Sequence, residues 1–131
     1  MTQEVEAEPW RNLAPVQSVD ATLSEVAGLL SAHGHSARAT FVSALVSRPH
    51  DGTFWSTVAG LEFWGGSGAV WEAEPFHLAP GAPAGSQGEY RRFQVLLVQL
   101  SDILKAKGLA AQSSRAAELF RREIGSGESD T

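Results

Sequence analysis

Three kinds of residue in the middle of this sequence could carry chemistry: closely spaced glycines, neighbouring acids, and histidines near both. Amides of a glycine turn ahead of a helix can surround a phosphate. Gly65-Gly66-Ser67-Gly68, however, matches neither Gly-x-x-x-x-Gly-Lys-Ser/Thr nor Gly-x-Gly-x-x-Gly, and no β-α-β pattern surrounds it. Gly65, Gly66 and Gly68 therefore read as a structural turn that uses positive φ or close backbone approach. For metal binding, His33 and His35 flank Gly34 instead of lying one helical turn apart. His50 and His77, with Asp51, Glu62, Glu72 and Glu74, would form a ligand set only if folding gathered them. Glu72 and Glu74 are close in sequence, but proximity alone sets neither a raised pKa nor a substrate pose. Ser67 lacks the strand-to-helix setting and assigned histidine of a nucleophile elbow. No catalytic residue, metal site or cofactor is nominated, and the chain reads as non-enzymatic.

The unusual local feature is aromatic and acidic. Trp55, Phe63, Trp64 and Trp71 fall within a segment, 49–90, that holds five acids and no Lys or Arg. Large rings often wedge a core, and rings bordered by acids can also anchor a basic partner. On the second reading the partner contacts are Asp51, Trp55, Glu62, Trp64, Trp71, Glu72 and Glu74. Segment 91–125 carries seven bases against three acids, so acidic loops lying on a basic helical face are the simpler account of the segregation. The formal charge of -5 comes from the ends, with three acids in the first nine residues plus Glu128 and Asp130. A net-acidic chain without a dense basic cluster argues against nucleic acid as partner. No apolar run is long enough for a membrane span. The acidic start lacks the pattern of a secretory leader, and the absence of cysteine fits either redox compartment; the cytoplasm is the expected location.

The apolar periodicity around these residues is all-α: a single compact bundle of about five helices with a Gly/Pro-rich central connection. Residues 1–17 read as an acidic arm in which Trp10 and Leu13 could dock, 18–125 as the helical domain, and 126–131 as a polar tail. Val19, Leu23, Val26 and Leu30 repeat at helical spacing, so a helix is expected over 20–33, capped by Ser18 or Asp20 and ended by Gly34. A second is expected over 36–47, where Pro49 prevents continuation. A third follows Asp51 as N-cap, with Phe54, Val58 and Leu61 on one face, and fails at Gly65-Gly66. Segment 73–88 reads as a long loop or short extended pieces. The longest helix starts near Gly88, buries Tyr90, Phe93, Leu97, Leu100 and Leu104 at the centre of the core, and stops at Gly108 with Leu109 making the accompanying contact. A last helix over 115–124 buries Ala116, Leu119 and Phe120, can also bury Ile124, and places Arg121 and Arg122 near its C-terminal end.

The stretch Phe63-Trp64-Gly65-Gly66-Ser67-Gly68-Ala69-Val70-Trp71-Glu72 resembles a family of small uncharacterised bacterial proteins. Their motif is an aromatic residue, two glycines, a variable residue, Gly-Ser, and an acid several positions on. Gly65, Gly66 and Gly68 fit it; Ala69 stands where the family has Ser and Glu72 where it has Asp. Similar small proteins are often encoded beside secreted antibacterial toxins. The resemblance thus implies an immunity protein, binding a cognate protein toxin and covering its active site or substrate entrance. Two other classes stay open: a small metal- or ligand-binding enzyme domain, and a regulatory or scaffold protein.

Overall fold

The computed structural model describes residues 18–66, 68–78 and 81–129, with side-chain surroundings as far as Gly125. The expectations for the arm 1–17 and for Ser67 lie outside these residues. The fold is all-α, with no strand among the described residues. Six α-helices occur there: α1 (Val19–Ala32), α2 (Ser36–Ser43), α3 (Gly52–Val58), α4 (Leu61–Trp64), α5 (Ser86–Ala106) and α6 (Ser114–Ser129). Two 3-10 turns, Val70–Glu72 and Phe76–Leu78, lie between α4 and α5.

Local signals explain most element ends. The Ser18 hydroxyl accepts the Ala21 amide at 3.1 Å to start α1, and Gly34 takes the left-handed conformation, φ 85°, that closes it. Asp51 caps α3 by accepting the Phe54 amide at 3.0 Å. Gly108, φ 74°, ends the run of α5, and the Leu109 amide donates back to the Leu104 carbonyl at 2.8 Å.

Four expectations are corrected. First, α2 stops at Ser43, because Leu45, Val46 and Arg48 donate to carbonyls three residues back, and this tighter turn carries Leu45 into the core. Second, the single helix expected after Asp51 breaks at Gly60, which adopts extended backbone and opens α4. The break rotates the helical register, so Phe63 and Trp64 are buried while Leu61 turns outward at 64% exposure. Third, segment 73–88 is neither a plain surface loop nor extended throughout, since Ala73 and Phe76 are buried and Phe76–Leu78 forms a 3-10 turn. Fourth, α5 begins at Ser86 and α6 continues through Gly125 to Ser129, so part of the expected tail is helical. On α6 it is Ala116, Ala117, Phe120 and Ile124 that are buried, whereas Leu119 is exposed.

The core is organised about α5. Six consecutive residues, Phe93 to Val98, are buried, which an amphipathic surface helix would not show. The helix packs against α1, α6 and the 76–78 turn, and α1 packs against α2. Three buried polar side chains on or beside α5 find partners: Gln94 donates to Glu123 at 2.7 Å, and the Ser101 and Ser113 hydroxyls pair at 2.8 Å. Arg92 of α5 grips Glu25 of α1 through two hydrogen bonds of 2.6 Å, and Arg121 of α6 pairs with Asp102 of α5.

Tyr90 sits where the 76–78 turn meets α5, its ring 5.3 Å from Phe76 and 5.7 Å from Phe93 between centroids. Burial, with a smaller effect from Glu123, pushes its phenol from 10 up to about 12. The folded state thus favours the neutral phenol, a contribution present below pH 10 and lost as pH rises through about 12. Tyr90 is the sole tyrosine, so ultraviolet titration of the phenolate is expected to give one midpoint near 12, falling to about 10 in denaturant.

Candidate functional site

The glycine turn and its flanking helices build an open cleft of about 580 Å³. Arg38 and Phe41 of α2 form one wall, Leu61 and Glu62 of α4 another, and Gly66, Ala69 and Val70 complete it. The cleft exists because α4 ends abruptly. The Gly65 amide donates to the Leu61 carbonyl at 2.7 Å, an approach so close that a Cβ at position 65 would lie 2.6 Å from that oxygen. Gly68 has φ 91°, a left-handed conformation that other residues resist. Gly66 has neither constraint: a Cβ there would meet nothing within 4 Å.

Two tryptophans brace the chain on either side of the turn. Trp64 donates its indole N–H to the Val58 carbonyl at 2.8 Å, and Trp71 donates to the Gly65 carbonyl at 2.7 Å. Trp64 is only 4% exposed; its ring belongs to the core and not to an outer face, which corrects its nomination as a partner contact. Trp71 is half-buried against Phe120, 5.9 Å between centroids. Trp55 is half-buried too, and the Lys107 ammonium lies 4.4 Å from its ring centre.

Of the nominated acids, Asp51 is engaged as a helix cap. Glu62, Glu72 and Glu74 are exposed, and among the described residues none of their carboxylates makes a salt bridge. Among the described residues no Lys or Arg of the helices forms a salt bridge with them. Arg92 pairs with Glu25, Arg121 with Asp102, and Arg122 with Glu118 at 3.5 Å.

No protein-family model, curated protein or solved structure matches this chain.

The histidines are dispersed among separate partners. His33 stacks on Phe76 at 4.1 Å and bonds to Glu89, while His50 stacks on Phe54 at 4.3 Å and bonds to Asp20. His77 has Tyr90 as its ring neighbour at 6.1 Å. Among the described residues no three His, Asp or Glu side chains are placed to hold one metal ion.

The residue that sequence reasoning missed is Arg38. Half-buried on α2, it donates Nε to the Ala69 carbonyl at 2.8 Å, so it ties α2 to the glycine turn across 31 positions of sequence. Its one signal was isolation, as no other Lys or Arg lies between positions 12 and 47. His35 stands beside it, Nδ1 3.5 Å from Arg38 Nη1. Burial lowers the His35 pKa, Arg38 lowers it further, and the main chain and charge of Glu74 oppose both.

Two outcomes are expected. Gly65→Ala should cost about 2 kcal/mol in denaturant unfolding, because the new methyl overpacks against the Leu61 carbonyl, whereas Gly66→Ala should change stability by less than about 0.5 kcal/mol. For His35 the lowered folded-state pKa means that the unfolded chain binds the proton more tightly. Its contribution is therefore complete above pH 6.5 and is lost as pH falls through the lowered value. Thermal melts at stepped pH should show a shallower acid-side decline for His35→Gln than for the parent.

Proposed function

We propose that this chain is a single compact helical bundle acting as a non-catalytic, protein-binding immunity protein. Its occupant is a cationic patch on a cognate toxin, which it covers at or beside the toxin's active site. The observation that carries this reading is the trio Glu62, Glu72 and Glu74: three solvent-facing carboxylates without salt-bridge partners among the described residues, in a segment free of Lys and Arg. Exposed Leu61 and half-buried Trp71 and Trp55 lie in the same stretch of chain. Such a mixture of apolar contact and unneutralised charge suits association with a protein, where complementary charge speeds encounter and selects partners. The resemblance of the 63–72 motif to immunity-like proteins supplies the toxin as partner, and the cytoplasm is the proposed place of action. Trp64 acts from within the core, tying α4 to the end of α3 through the Val58 carbonyl, while Trp71 ties the Val70–Glu72 turn to Gly65.

The test is charge reversal, Glu62→Lys with Glu72→Lys and Glu74→Lys, titrated against the product of the adjacent gene. Asp51 is left alone because replacing it would remove a helix cap. The expected result is an unchanged helical spectrum and melting temperature, with affinity reduced by at least about ten-fold, mainly through slower association. Wild-type affinity in the reversed variant rejects the reading.

A further inference from the structure

Arg38 has a further consequence for the cleft that it lines. A guanidinium offers five N–H donors in a planar fork, and Arg38 donates to the Ala69 carbonyl and makes a long approach to His35. Among the described residues no carboxylate lies within salt-bridge distance of it. A half-buried cation without an anion has given up part of its hydration uncompensated, and a carboxylate on the fork restores that loss.

We propose that the cleft is a binding site for the C-terminal residue of a polypeptide, with its terminal carboxylate on Arg38 and an aliphatic side chain against Phe41, Leu61 and Val70. The choice of occupant follows from the lining. Apolar surface adjoins the guanidinium in one cleft, so carboxylate and apolar group must sit close together on the ligand. A C-terminal leucine or valine carries both on one residue; an aspartate or glutamate side chain ends in its carboxylate with no apolar group beyond it. Gly66 leaves the wall open at a place where neither its conformation nor a neighbour demands glycine, and that opening admits the approaching main chain. Glu62 shares the cleft and repels an anion, which confines the carboxylate to the Arg38 side. This site adds to the docking reading, with which it has Glu62 in common, and does not depend on it.

The test is a nuclear magnetic resonance titration of the full chain with N-acetyl-leucine, N-acetyl-leucinamide, and N-acetyl-aspartic acid α-amide. N-acetyl-leucine is expected to bind with a Kd on the order of millimolar, shifting the Arg38 Nε–H together with the amides of Phe41, Leu61, Gly66 and Val70. The leucinamide and the aspartic amide should each bind about ten-fold more weakly. Arg38 also holds the Ala69 carbonyl, so the deciding variant is Glu62→Gln, an exposed side chain whose neutralisation should tighten N-acetyl-leucine binding about three-fold. Equal shifts from acid and leucinamide, or an unchanged affinity in Glu62→Gln, overturn the carboxylate site, and equal binding of the aspartic amide overturns the C-terminal assignment. No toxin enters these measurements, so failure of the immunity reading and failure of this site are separately visible.

Discussion

Because Phe93 to Val98 are buried without interruption, α5 cannot be one wall of a two-layer stack and must be enclosed. Helices α1 and α6 cover part of it, and the irregular segment between α4 and α5 contributes through the 76–78 turn. Phe76 is the residue that makes this possible: fully buried, it meets His33, Tyr90 and Phe93 within 5.4 Å between ring centres. Burying one such ring is worth about 2 kcal/mol, enough to hold a proline-flanked stretch against the helix without regular secondary structure. The glycine turn hangs from the same segment, so its placement is a consequence of enclosing α5.

The cleft owes its shape to the same demand. Phe63 and Trp64 must both point inward, which a continuous helix from Gly52 would not permit while Phe54 and Val58 also face the core. Gly60 resets the register, and the chain then has to reverse within a few residues after Trp64. Gly65 accepts the resulting contact with the Leu61 carbonyl because it has no Cβ. Outward-facing Leu61 and Glu62 are the complement of that choice. Exposed apolar and acidic surface here is the residue of a packing solution, and it becomes available to a partner or ligand.

Charge is arranged by the helices in a way that leaves the acids of segment 61–74 without salt bridges among the described residues. Glu25, Asp102 and Glu118 take up Arg92, Arg121 and Arg122, and Lys107 rests on Trp55. Each such pair, partly exposed, contributes at most about 1 kcal/mol to stability, but together they draw basic side chains into the helical framework. Glu62, Glu72 and Glu74 are left to solvent, and Arg38 is left to the main chain of the turn. Of these acids Glu62 shares the cleft with Arg38, and the two form no salt bridge.

Whatever depends on near neighbours was legible along the chain: the all-α class, the caps at Ser18 and Asp51, the stop signals at Gly34 and Gly108, and the central place of α5. These are set by periodicity and by hydrogen bonds spanning three or four residues. The segregated acids and the aromatic cluster were equally legible, being statements of composition. Tertiary structure alone decided that Gly60 breaks a helix, that Trp64 turns inward while Leu61 turns outward, and that Arg38 reaches Ala69. The physical reason is that each of these outcomes is settled by which surfaces meet across long separations in the chain, where one register of packing buries more than its competitors and no local preference is strong enough to choose.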